Sequence, residues 1–225
     1  GEKLHDLVAQ VLAVDGLERF RLSSVEPNTI TDELIEVLKS SPKVLDHFHI
    51  PLQSGDDGIL KDMRRKYTTS DYKRIIGKLV AAFPNAGFGA DIIAGFPGET
   101  KEQFENTFNL LKELPITHFH VFPYSKRKNT TAAKMENLIH SGVKKDRVKT
   151  LMMFGDAKLN LFSEDQIGKR TKVLFERRNK AGNFEGYSSN FVRVSVVTDL
   201  DLSNQEREVL ITGMDNGRLV GELLQ

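Results

Sequence analysis

Over the first two thirds of the chain, short apolar segments alternate with amphipathic helical segments, and this alternation limits the fold more than any other feature of the sequence. Strand-like runs occupy residues 19–25, 48–52, 87–95 and 118–124, each followed by polar or turn residues. Helical periodicity fills the gaps. Residues 31–40 place Leu34, Ile35 and Leu38 on one face, and residues 71–83 do the same for Tyr72, Ile75, Ile76, Leu79, Val80 and Phe83. After Pro97-Gly98-Glu99, the Thr100-x-x-Gln103 pattern predicts a capping box, with Phe104, Thr107, Phe108, Leu111 and Leu114 inward and Pro115 ending the helix. Strands joined through helices need crossover connections, which make neighbouring strands parallel. The expected class is therefore α/β.

A long helix over 144–162 leads into a different pattern. Strands are expected at 171–178, 186–197, 206–212 and 218–224, separated by turn signals such as Ala181-Gly182-Asn183 and Asp215-Asn216-Gly217. Short strands over so few residues make a small OB-like all-β barrel. The sequence thus divides into an α/β part, 1–163, and a β part, 164–225. Four βα-type strands are too few for a closed eight-stranded barrel, and the chain opens on a helix at 3–14 with no strand before it. The expectation is a C-terminal piece of a larger α/β barrel.

Composition narrows the chemistry. The 225 residues contain no cysteine, which excludes disulfides, thiol catalysis, cysteine-based zinc sites and cysteine-ligated iron–sulfur clusters within this chain. Lys and Arg total 32 against 31 Asp and Glu, so bulk charge does not argue for nucleic acid or membrane. With no long apolar run and no signal-peptide pattern, the expected location is cytoplasmic. Charge is instead clustered: Lys169, Arg170, Lys172, Arg177, Arg178 and Lys180 are opposed only by Glu176, and Lys126-Arg127-Lys128 follows the fourth strand. Each cluster reads either as a solvated face or as a phosphate-binding surface.

Ligands of parallel α/β folds bind at the carboxyl ends of the strands. Here those ends read Ser23-Ser24-Val25-Glu26-Pro27, Gln53-Ser54-Gly55-Asp56, Gly95-Phe96-Pro97-Gly98-Glu99 and Pro123-Tyr124-Ser125. Four polar or glycine-rich ends on one rim point to a binding site. Gln53 and Ser54 offer hydrogen bonds there, while Asp91, inside an apolar strand, needs a partner. His47-x-His49 and His118-x-His120 put two imidazoles on the same face of a strand, as packing residues or as a metal site, with no carboxylate at an obvious ligand spacing. No G-x-S-x-G elbow, P-loop or G-x-G-x-x-G fingerprint is present.

Read in order, RFRLSSVEP (19–27), HFHIPLQSGDDGILKDMRRKYT (47–68), DIIAGFPGET (91–100), HVFPYSKRKNTTAAKM (120–135), GYSSNFVRV (186–194) and LVGELL (219–224) resemble the radical SAM methylthiotransferases, which modify tRNA or a ribosomal protein. ITDELIEVL (30–38) and LPITHFHVFPYS (114–125) most resemble the branch acting on threonylcarbamoyladenosine beside the anticodon. The resemblance implies strands three to six of a partial (β/α)6 radical SAM barrel, followed by an RNA-binding TRAM barrel. It implies a parent enzyme that adds a methylthio group to C2 of N6-threonylcarbamoyladenosine. Its cofactors would be S-adenosylmethionine and two [4Fe–4S] clusters, one of them held through a CxxxCxxC loop, and neither ligated by this chain. The partner would be a tRNA anticodon stem-loop.

Carried over residue by residue, the resemblance puts Glu26, Gln53, Ser54, Asp91, Gly95 and Glu99 around S-adenosylmethionine. Lys169, Arg170, Lys172, Arg177, Arg178 and Tyr187 would meet RNA, with Phe184 and Phe191 as further aromatic candidates. Arg127 and Thr130 fall in the family's Y-S-x-R-x-G-T segment, where Asn129 replaces glycine and tolerates the same positive φ. The cofactor carries the chemistry, so no side chain need act as a general base. Alone, the chain is expected to be inactive. Two other readings stand beside this one: a stand-alone RNA-binding module, and a metal-dependent α/β-barrel enzyme that uses the His pairs.

Overall fold

The computed structural model describes residues 3–224. Its first helices are fixed by local chemistry. α1 (Leu4–Leu12) is followed by α2 (Asp32–Lys39), whose cap Thr31 accepts the Leu34 N–H, and whose Leu34, Ile35 and Leu38 are buried. A three-residue strand, β1 (His47–His49), precedes the short α3 (Asp57–Asp62) and then α4 (Thr69–Ala82). β2 (Gly87–Ala94), α5 (Lys101–Glu113) and β3 (His118–Pro123) complete the α/β part. Thr68 with Asp71 and Thr100 with Gln103 form reciprocal capping boxes, so the helix expected after Pro97-Gly98-Glu99 starts where its cap lies.

β1, β2 and β3 form a parallel sheet in that order, with His49 opposite Gly89 and Asp91 opposite His120. Strand alternation gives the sheet two unlike faces. Phe48, Phe88, Ala90 and Ile92 lie in the core shared with Tyr72, Ile76, Leu79 and Leu111. Burying each large side chain there is worth about 1.5–3 kcal/mol. Tyr72 is fully buried, and its hydroxyl is satisfied by donating to the Ile50 carbonyl at 2.8 Å. The opposite face carries His47, His49, Asp91, His118 and His120. Gly89 is required there, because a Cβ would stand 2.7 Å from His49 Nδ1.

The first of the four strands expected, at 19–25, is not a regular one. This segment runs beside β1 through isolated parallel bridges, Phe20 to Val44 and Ser23 to His49. Ser24 sits at a φ of 57°, outside the strand region, and breaks the ladder.

α6 (Ser141–Glu164) packs on β3 and leads into the second unit. There, β4 (Arg170–Arg178), β5 (Phe184–Ser188), β6 (Arg193–Val196), β7 (Glu206–Asp215) and β8 (Arg218–Leu223) close a barrel in the order β4-β5-β6-β8-β7. Within it, β6 and β8 pair in parallel. Val173, Phe175, Phe184, Val194, Val209 and Ile211 are among the side chains that fill it. The single strand expected over 186–197 is divided into β5 and β6 by a turn. Ser188 Oγ accepts the Val192 N–H and donates to Asn190 Oδ1, while Phe191 adopts a φ of 68°.

That turn seats the barrel on the sheet. The Phe191 carbonyl accepts from His118 Nε2 at 3.1 Å, and its ring lies 4.6 Å from His47, 4.6 Å from Tyr187 and 4.2 Å beneath the Arg21 guanidinium. Asn190 donates to the Asn85 carbonyl and to Gln166, and Arg19 pairs with Glu206.

Candidate functional site

At the carboxyl ends of the strands lies a cavity of about 660 Å³. Gln53, just past β1, reaches it with a φ of 65°; its N–H donates to the Asp91 carbonyl, and its own carbonyl accepts the Ile93 N–H. Asp91 and Ile93, two residues apart on β2, share the cavity wall. The end of α3 adds Arg64 and Arg65, the end of β3 adds Tyr124, and Arg127 and Thr130 close the far side. Asn129, between them, has a φ of 66°, the conformation the glycine it replaces would take.

Two cavity residues hold buried polar atoms without a hydrogen-bond partner, Arg65 Nε and Tyr124 Oη. Such atoms are costly unless a ligand satisfies them. The cavity therefore fits a polar organic molecule.

Of the six rim residues taken from the sequence, Gln53 and Asp91 line this cavity. Glu26 stands behind it, pairing with Arg65 at 2.7 Å. Ser54 is fully buried and turned toward α5, with its Oγ 3.3 Å from Thr107 Oγ1. Glu99 is 2% exposed and braces the turn from inside, accepting the Gly95 N–H at 2.8 Å and pairing with Arg147 of α6. Burial pushes the Glu99 carboxyl above its ordinary value, against the pull of the Gly95 N–H and Arg147. Gly95 has no space for a side chain, since a Cβ would meet Lys144 Cγ at 2.2 Å. Ser54, Gly95 and Glu99 thus hold the rim together from behind.

Arg65 and Ile93 are not among the residues the sequence points to, whereas Tyr124 lies in the strand end Pro123-Tyr124-Ser125 expected on the rim. Ile93 carries a usable signal, the two-residue period from Asp91. Arg65 lies within a matched segment but not at a polar strand end.

The histidines separate into two groups. His49 Nε2 lies 3.0 Å from Asp91 Oδ1, and His120 Nδ1 lies 3.3 Å from the same oxygen. The carboxylate absent from the sequence spacing is supplied by the neighbouring strand, through the sheet register. His47 and His118 face the barrel seam instead. Burial pulls His47 down to about 3 and His118 down to about 4, so both are neutral, and neither ring nitrogen of His47 has a partner.

The basic strand does not form one patch. Lys169, Arg170 and Lys172 lie at the start of β4, where Lys172 pairs with Glu206, and Arg177 and Arg178 lie beyond a bulge at its far end. Arg178 is a staple: its guanidinium donates to the carbonyls of Gly182, Thr198, Asp199 and Leu200 and covers the Phe184 ring. Tyr187 stands in the seam, accepting from Arg193 at 2.6 Å. Phe184 is core, and Phe191 is the seam's centre.

Comparison with known proteins points to a family. The radical SAM superfamily model matches residues 2–111. Over those residues the chain is similar to the radical SAM enzymes. Among its relatives, the threonylcarbamoyladenosine tRNA methylthiotransferase MtaB of Bacillus subtilis is 40% identical, over 80% of this chain and 41% of its own length. MtaB of Rickettsia prowazekii is 43% identical over 81% of this chain and 42% of its own. A tRNA-2-methylthio-N(6)-dimethylallyladenosine synthase from Maricaulis maris is 36% identical over 98% of this chain and 48% of its own. The chain spans less than half the length of these relatives. Its fold is similar to that of the radical SAM enzyme HemN, the coproporphyrinogen III oxidase of Escherichia coli, with a TM-score of 0.52, 14% identity, and coverage of 91% of this chain and 51% of that one.

Proposed function

We propose that this chain binds S-adenosylmethionine in the strand-end cavity and works within a tRNA methylthiotransferase. The observation that carries the reading is the pair of unsatisfied buried groups, Arg65 Nε and Tyr124 Oη, in a cavity bordered by the HIPLQSG and GFPGET segments. Gln53 and Tyr124 would bond the polar parts of the cofactor, Ile93 and Phe96 would pack on its adenine, and Arg65, held by Glu26, would face its carboxylate. Beside a reduced iron–sulfur cluster, S-adenosylmethionine supplies a radical able to take hydrogen from an adenine carbon. The chain holds no cysteine, so it supplies no thiolate for such a cluster. Its own part is to bind, orient and shield.

The reading includes a domain division at 163/164, with the barrel as a TRAM domain that meets the anticodon stem-loop. Lys169, Arg170, Lys172 and Arg177 would contact phosphates, and the setting would be cytoplasmic. Among the described residues, no helix is long and apolar enough to cross a membrane.

The proposed substrate is N6-threonylcarbamoyladenosine, supported by the two MtaB relatives at 40% and 43% identity. The test is the parent enzyme incubated with tRNA carrying either threonylcarbamoyl- or dimethylallyl-adenosine, read by mass spectrometry of the nucleosides. A methylthio gain on the first is expected; a gain on the second alone refutes the substrate, and a gain on neither refutes the activity.

A further inference from the structure

We propose that His49, Asp91 and His120 form a binding site for a divalent first-row transition-metal ion, of which zinc is the probe. The inference rests on the register of the sheet and is independent of whether S-adenosylmethionine binds above it.

His49, Asp91 and His120 come from three adjacent parallel strands, one from each of β1, β2 and β3. Their ligand atoms all lie within 4.8 Å of one another. The two spacings to Asp91 Oδ1 are 3.0 Å from His49 Nε2 and 3.3 Å from His120 Nδ1. A tetrahedral ion with bonds of about 2.0–2.1 Å needs ligand atoms about 3.3 Å apart, so both spacings suit coordination. The positions of the three residues are fixed by hydrogen-bonded strands. Two imidazoles and one carboxylate are a donor set for zinc, iron or nickel, and are poorly suited to calcium or magnesium.

The surroundings favour a metal ligand role over packing. The His49 side chain is 6% exposed, with its Nε2 turned to Asp91 Oδ1. The His120 side chain is 54% exposed, and its Nδ1 already stands 3.3 Å from Asp91 Oδ1. Asp91 lines the cavity, which leaves the remaining coordination positions to water or a ligand. Gly89 gives His49 its room.

The alternative is a metal-free hydrogen-bonded cluster in which Asp91 accepts from both rings. Isothermal titration of the untagged chain with zinc distinguishes them. The expected result is about one ion per chain, with binding weakened roughly tenfold or more in both Asp91→Asn and His120→Ala, and unchanged in His140→Ala. His120 is half in solvent, so its loss does not threaten the fold. Cobalt serves as a second readout, its visible absorption reporting tetrahedral ligation in the wild type and losing intensity in His120→Ala. No binding, or binding equally tight in both site variants, overturns the proposal.

Discussion

Arg147 and Glu99 show how a polar residue at a strand end can serve the fold rather than a ligand. Both side chains are nearly excluded from solvent, at 11% and 1% exposure, and each neutralises the other. Removing the cation strands a buried carboxylate, so Arg147→Ala should cost about 3–5 kcal/mol in urea unfolding. A second residue-scale prediction concerns pH. His47 and His118 are held near 3 and 4 in the fold, whereas an unfolded histidine titrates near 6.5. Between those values the unfolded chain binds more protons. Stability is therefore full above about pH 6.5 and falls as the pH drops toward 4. His47→Phe removes two unpaired nitrogens and one titration, so its unfolding midpoint at pH 5 should exceed that of the wild type. An equal pH dependence in both proteins would refute this account of His47. The sequence showed Ser54 and Glu99 only as polar residues near a rim; their partners, Thr107 and Arg147, lie on helices far along the chain and could not be read from it.

At the scale of elements, what is local was legible and what depends on distant partners was not. Residues 71–83 read as a helix because Thr68, Asp71 and the apolar spacing are self-contained, and α4 forms at Thr69–Ala82. Residues 186–197 read as one strand because the sequence is β-rich, yet the break at Ser188–Val192 exists to place Phe191 against His47, His118 and Arg21. Likewise 19–25 carries strand residues but only bridges β1. Two glycines give opposite predictions. In Gly87→Ala a Cβ would press on the Asn190 carbonyl at 2.5 Å, forcing the barrel turn off the sheet and lowering the melting temperature. Gly77→Ala, in α4 with nothing within 4 Å, should stabilise by about 0.5–1 kcal/mol. Equal effects from both in differential scanning calorimetry would contradict the seam geometry.

For the whole molecule, the α/β sheet and the barrel are joined by one seam, with the cavity at the sheet's carboxyl end and Lys169, Arg170 and Lys172 at the start of β4. Replacing these three with alanine should weaken binding of an anticodon stem-loop. The slope of log affinity against log salt should fall by about 0.7–0.9 for each phosphate that is no longer neutralised. Fluorescence anisotropy across a salt series reads this directly. The fold class was legible because strand–helix alternation leaves few topologies, and so was Tyr124 as a strand end, whereas Arg65 was not, since it reaches the cavity only through the path of the chain after α3. Hydrogen exchange of the chain with and without S-adenosylmethionine tests the cavity assignment. Slowed exchange is expected in peptides over 52–54, 91–96 and 122–132, with the barrel strands unchanged. Protection absent from those segments, or confined to the barrel, would contradict it.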